Sequence, residues 1–212
     1  MLVLASASPR RRELLAQAGY EFQILPADIC EDLRAGEQPI AYVLRLAREK
    51  VEAVAASPEF AKVRANENET PLILGADTTV VAPNGEILLK PEDDADAPRM
   101  LRLLSGATHQ VITGVALVSG DATEVAAEVT HVTVMSLTDE NIAGYIATGE
   151  SHGKAGAYGI QGRFGRWVPR IHGCYFNVVG LPLALVSTMI DAAGSRRAAA
   201  AITESMMLSE EV

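Results

Sequence analysis

The sequence predicts an α/β protein, a mixed twisted sheet with flanking helices and two lobes around a central cleft. Three features lead there. Residues 72–81, LILGADTTVV, form a nearly continuous apolar and β-branched run, the pattern of a strand covered on both faces. The chain opens with a strand, turn and helix unit, and the β-rich stretches Gln110–Val118 and Glu124–Leu137, joined by a Gly-Asp turn, read as a hairpin. Hairpins alternating with strand–helix units require parallel and antiparallel pairing within one sheet.

The elements follow in order. LVLAS is a short apolar strand, and Ser8 as N-cap with Pro9 at the first helical position starts a helix that ends near Gly19. YEFQIL is a strand, followed by the acidic loop PADICEDLRAGEQP. From Pro39 to about Ala56, Ile40, Val43, Leu44, Ala47, Val51 and Val54 recur at helical spacing, with Lys50 on the same helix. Residues 57–70, SPEFAKVRANENET, have loop composition. After the buried strand, Asn84-Gly85 makes a hairpin turn into EILLK. A helix from Asp93 to Leu104 is closed by Ser105-Gly106, with Pro98 marking a kink or a late start. Thr138 caps a short helix that Gly149 stops. A glycine-rich loop then leads to a strand near Tyr175–Val179 and a helix initiated at Pro182. The tail from Gly194 is a loose helix or disordered. The expected organisation is one domain over residues 1–190 and a C-terminal extension over 191–212.

Composition excludes several function classes. Acidic residues outnumber basic ones by 27 to 18 in a chain of 212 residues with a net charge of -9, so a broad surface for nucleic acid or anionic lipid is not expected. No apolar stretch reaches membrane-spanning length and no signal-peptide h-region precedes the arginines, which makes a soluble, cytoplasmic protein the expectation. Cys30 and Cys174 are too few and too isolated for a disulfide framework, and the four histidines show no metal-binding spacing. Neither G-x-G-x-x-G nor a Walker A sequence occurs.

Local chemistry is concentrated in a few places. Arg10, Arg11 and Arg12 stand at a helix N-terminus, where the peptide dipole disfavours cations by about 0.3–1 kcal/mol each. Either an anion is held jointly by guanidinia, free backbone N–H groups and the Ser6 or Ser8 hydroxyl, or the segment is a solvated basic turn. Asp77 interrupts an apolar strand, so its carboxylate needs a cation or strong donors; a divalent metal or a neighbouring loop would supply them. Lys90-Pro91 follows a strand turned back beside Asp77, and Glu31 in the acidic loop is a candidate second metal ligand or a plain surface acid. GKAGAYGIQG places a glycine at every third position, a loop whose backbone approaches something closely, and the Gln161 amide offers a donor and an acceptor to a base edge.

Taken together, SASPRRREL, LAREK, GADTTV, LLKP, LSGATHQVITGV, GKAGAYGIQG and VVGLPL, in this order, resemble the Maf family of nucleotide pyrophosphatases over roughly residues 2–190. The resemblance implies a fold like that of inosine triphosphate pyrophosphatases and a requirement for Mg²⁺ or Mn²⁺. It also implies a homodimer and hydrolysis of a nucleoside triphosphate to monophosphate and pyrophosphate. The glycine-rich segment is similar to the branch acting on dTTP and UTP, with Arg10, Thr78 and Gln161 as specificity residues. It implies a catalytic role for Asp77, with Lys50, Lys90 and Glu31 completing the reactive centre, Asp77 and Glu31 at the metal, and Ser8, Arg10 and Arg11 on phosphates. Thr79, Ser151-His152 and Pro98 depart from the family pattern. A non-catalytic nucleotide-binding regulator of cell division is the alternative expectation, since binding without turnover needs the same arginines.

Overall fold

In the computed structural model, residues 1–67, 70–93 and 95–210 are described, with residues 200–210 by their backbone alone. Seven strands form one mixed sheet: β1 (Leu2–Leu4), β2 (Phe22–Ile24), β3 (Leu72–Val81), β4 (Ile87–Leu88), β5 (Thr108–Ser119), β6 (Ala122–Thr133) and β7 (Arg170–His172). The order is β2-β1-β3-β5-β6-β7, with β4 also paired to β3. β1 runs parallel to β2 and β3, and the remaining pairs are antiparallel. The helices are α1 (Pro9–Gln17), α2 (Pro39–Ala55), α3 (Pro58–Ala65), α4 (Asp96–Leu104), α5 (Asp139–Ile146), α6 (Tyr175–Val179) and α7 (Leu183–Glu210).

Both faces of β3 are covered, as its composition requires. On one face, Ile73 packs with Val3, Ala47 and Val51, and Val81 with Val43, Leu46 and Ile112, so α2 lies along this side. The other face divides. At one end Leu74, Ala76, Val115 and Leu117 pack with Leu14 and Leu15 of α1 and Val186 and Met189 of α7. At the other, Val80 and Val111 join Met100, Leu101 and Leu104 of α4, Tyr145 of α5, Tyr158 and Phe164. Thr78 and Thr113, opposite each other in register, sit on the seam between the two clusters.

Pairing along β3 is continuous with β5 from Ile73 to Val81, but on its other edge β1 ends opposite Leu74 and β4 begins opposite Val80. Residues 75–79 therefore have no strand beside them on that edge. Backbone groups at such a gap are open to ligands and loops instead of a ladder. This break, at the C-terminal end of β1, is where the cleft forms, in keeping with the tendency of α/β sheets to collect ligands there.

Several local expectations need correction. Residues 57–70 have loop composition, yet α3 occupies Pro58–Ala65: Ser57 caps it by accepting from the Phe60 N–H at 3.1 Å, and Phe60 is buried beside Val51 and Val54. Polar composition hid one anchoring aromatic. Asn68 and Glu69 of that stretch, and Asp94 of the expected 93–104 helix, lie outside the described residues. Pro98 falls in the first turn of α4, where no intrahelical donor is lost, so it marks a late start and not a kink.

The expected strand at Tyr175–Val179 is the short helix α6. Tertiary bonds override its β-branched composition: the buried Asn177 amide donates to the Val111 carbonyl and to Thr130 Oγ1, both at 2.9 Å, and Gly180 ends the turn at a φ of 128°. The third antiparallel partner on that side is β7, which composition did not suggest. The tail continues α7 to Glu210, with Glu211 and Val212 outside the described residues. Among the described residues no helix is long and apolar enough to cross a membrane.

Candidate active site

The cleft has a volume of about 560 Å³, inside the range of small-molecule sites, and is lined among others by Ser8, Arg10, Arg11, Glu31, Lys50, Asp77, Thr78, Lys90 and Gln161. All the site residues that the family resemblance implies thus line one cavity, whereas Arg12 of the opening turn is not among its lining residues. Six separate segments bring them together: the turn after β1, the acidic loop, α2, β3, the segment after β4 that carries Lys90, and the glycine-rich loop.

Asp77 sits directly across the β3–β5 ladder from Gly114. A side chain at Gly114 would collide with the Val43 carbonyl and the Leu44 nitrogen of α2, and a Cβ at Gly75 would stand 2.7 Å from both the Ala47 oxygen and Val51 Cγ1. These two glycines let the helix backbone settle on the sheet. Lys50, one turn further along α2, then reaches Asp77 with Nζ 2.6 Å from Oδ1, both side chains nearly withdrawn from solvent at 8% and 11% exposure. The same ammonium lies 2.6 Å from Glu31 Oε1, and Lys90 Nζ lies 2.9 Å from Glu31 Oε2. Burial works against ionisation of Glu31, but the hydrogen bonds from Lys50 and Lys90 outweigh it and hold the carboxyl at about 2. Tyr42 closes the floor, donating its hydroxyl to the Glu31 carbonyl at 2.8 Å.

Two carboxylates therefore converge on one ammonium, and the oxygens of Asp77 and Glu31 stand within twice 2.6 Å of each other. Among the described residues no three His, Cys, Asp or Glu side chains cluster as a self-sufficient metal site. The donor set instead matches a magnesium-type ion, which takes one or two carboxylates and leaves its other positions to water and phosphate oxygens.

The arginines of the opening turn separate into different environments. Ser8 occupies the N-cap position of α1, but its side chain makes no capping bond; its backbone N–H instead donates to Ser6 Oγ at 3.2 Å. Arg10 lines the cleft, where burial, partly offset by Glu13, lowers the pKa of its guanidinium. Arg11 turns inward and is 8% exposed. It donates from Nε to the Gly180 carbonyl at 2.9 Å, and from its two terminal nitrogens to Ser6 Oγ and Thr78 Oγ1, both at 3.1 Å. Burial lowers its pKa too, although Asp77 and Glu31 pull the other way.

In the glycine-rich loop, Gly156 adopts a φ of 66° and a Cβ there would stand 3.0 Å from Val80, the close approach the glycine spacing predicts. Tyr158 is fastened beneath it by its hydroxyl, 2.7 Å from His109 Nε2, and the Gly159 N–H donates to the Tyr145 hydroxyl at 3.2 Å. Gln161 lies at the exposed rim, its amide without a hydrogen bond among the described residues. Lys154 donates to the Glu150 carbonyl, and burial together with the nearby Arg10 lowers its pKa.

Sequence reasoning passed over Tyr42, His109, Thr113, Lys154 and Tyr158. His109 and Thr113 lie inside LSGATHQVITGV, and Lys154 and Tyr158 inside GKAGAYGIQG, where alternation with glycines is the available signal. Nothing in the chain places Thr113 opposite Thr78; register alone does that.

The Maf-like protein family model matches residues 1–193. A protein of Koribacter versatilis named dTTP/UTP pyrophosphatase is 52% identical over 193 residues, 91% of this chain and 94% of the relative. Proteins of the same name from Salmonella typhimurium and Hahella chejuensis are 52% and 48% identical, each over 86% of this chain and 87% of their own length. With the whole cleft inside the matched region, the chain belongs to the Maf family.

Proposed function

We propose that this protein is a nucleoside triphosphate pyrophosphatase that hydrolyses dTTP and UTP to the monophosphate and pyrophosphate, clearing these or modified pyrimidine nucleotides. The observation that carries the reading is the Glu31–Lys50–Asp77 cluster at the sheet break, with Lys50 and Asp77 buried and Glu31 half-exposed, beside an arginine-lined turn in the same cleft. Relatives about half identical that bear the dTTP/UTP pyrophosphatase name supply the substrate class.

In this reading Arg10, the Ser8 hydroxyl and the free N–H groups of the opening turn receive the polyphosphate, with the remaining hydrogens of Arg11 behind them. Lys50 and Lys90 offset charge on the α-phosphoryl group and the departing pyrophosphate. Asp77 orients a water towards the α-phosphorus; the water oxygen forms the new bond to phosphorus as the bond to the α,β-bridging oxygen breaks, pyrophosphate leaves with that oxygen, and the water's proton passes to solvent. Asp77 and Glu31 would hold a divalent cation, Mg²⁺ or Mn²⁺, which supplies Lewis-acid stabilisation of the phosphate oxygens. Gln161 and Thr78 face the base, which for uracil and thymine offers carbonyls flanking one N–H. The reading extends to a cytoplasmic homodimer without nucleic-acid or membrane partners, and to residues 1–190 as the nucleotide-handling domain with 191–212 as an extension.

The test is product analysis after incubation with Mg²⁺ or Mn²⁺ and each of dTTP, UTP, CTP, ATP, GTP and 7-methyl-GTP, beside an Asp77→Asn control. Release of monophosphate and pyrophosphate from dTTP and UTP alone, reduced about 10²-fold or more in the control, is the expected outcome. Binding of these nucleotides with no pyrophosphate released would instead favour a regulator of cell division.

A further inference from the structure

Thr78 does not stand alone in the cleft. Its Oγ1 is 2.9 Å from Thr113 Oγ1 and receives a hydrogen bond from Arg11 at 3.1 Å, while Thr113 donates to the Asn177 carbonyl at 3.2 Å. A fourth contact runs from Thr78 Oγ1 to the Gly180 carbonyl at 3.4 Å. The ends of this chain have fixed polarity. A guanidinium only donates, and a carbonyl only accepts. With the Thr113 proton committed to Asn177, the Thr78 proton has two destinations, Thr113 Oγ1 and the Gly180 carbonyl, and both lie within the protein. A hydroxyl carries one proton and two acceptor sites. Thr78 thus keeps one acceptor site after Arg11 has taken the other, and no proton to offer outward.

Resting on the pyrimidine-nucleotide reading above, we infer that Thr113 is a positioning residue for base selection: it fixes Thr78 as an acceptor towards the substrate. An acceptor at that point matches the N3–H shared by uracil and thymine and opposes the bare N3 of cytosine. Selectivity arises from the direction of one hydroxyl, set by a fully buried residue on the neighbouring strand. Arg11 contributes to the same end. Two of its three protein bonds hold Thr78 and Gly180 together from the opposite side.

The test measures binding, so that it does not depend on turnover. Wild type, Thr113→Val and Thr113→Ser are titrated calorimetrically with the α,β-imido analogues of UTP and CTP. The valine keeps the shape and removes both the proton sink and the tie to Asn177, freeing the Thr78 hydroxyl to rotate. Wild type is expected to favour the uracil analogue by about 100-fold or more, Thr113→Val to lose about tenfold of that preference, and Thr113→Ser to restore it. Should the valine variant melt too low to titrate, the α,β-imido analogue of 3-methyl-UTP with wild type asks the same question, because it lacks the N3 donor, and its affinity should fall by a similar factor. An unchanged ratio in Thr113→Val, equal weakening of both analogues, or undiminished binding of the 3-methyl-UTP analogue would overturn the inference. Absence of pyrophosphate release by wild type would count against the hydrolase reading alone.

Discussion

Lys50 on α2 and Asp77 on β3 meet with Nζ 2.6 Å from Oδ1, a buried ion pair within residues 75–79 of β3, which have a strand on a single edge. Removing one member leaves the other's charge buried. Lys50→Met should therefore destabilise the fold by about 3–5 kcal/mol, whereas Lys50→Met with Asp77→Leu should recover much of that loss. Urea denaturation of the single and double variants measures the coupling; additive losses would contradict it.

Glu31 shares the same ammonium but stands 38% exposed at its side chain. Screening by solvent keeps its contribution to stability small, within about 1 kcal/mol. Glu31→Gln should leave the melting temperature nearly unchanged while lowering kcat about tenfold or more, separating a chemical role from a structural one. Loss of both together would assign Glu31 to the scaffold.

Gly75 admits the α2 backbone, and a methyl group there would meet the Ala47 oxygen and Val51 Cγ1 at 2.7 Å. Gly75→Ala should cost about 1–3 kcal/mol by overpacking and displace Lys50 from Asp77. Activity should fall further than stability accounts for, read as reduced kcat in protein still folded by circular dichroism.

His109 is buried, 1% exposed, with Nε2 on the Tyr158 hydroxyl and, among the described residues, no partner for Nδ1. Burial lowers its pKa to about 4 from the ordinary 6.5. Between those values the unfolded chain binds the extra proton, so stability rises with pH across that window and falls as pH drops through it. The contribution is fully present above about 6.5 and amounts to about 3 kcal/mol, gone below about 4. Unfolding free energies at pH 7 and pH 4.5 should differ by less in His109→Gln than in wild type. An equal pH dependence in the two proteins would contradict the assignment.

By itself the sequence determined the long elements and the identity of the chemical groups. The run 72–81 reads as a strand covered on both faces, the spacing from Pro39 as a helix that buries one side, and Asn84-Gly85 as a reversal of the chain, because these signals are local and the tertiary packing agrees with them. It also marked Asp77 and the arginine turn by the same logic, as charges where local rules disfavour them. The tertiary structure decided what meets what. Tyr175–Val179 became helix because Asn177 answers buried partners on β5 and β6, and α3 formed because Phe60 found a place beside α2. Arg11 turned inward while Arg10 lined the cleft, and Thr113 came to stand behind Thr78. Those outcomes depend on strand register and helix depth, which are fixed by packing between residues far apart in the chain and leave no trace in any one segment.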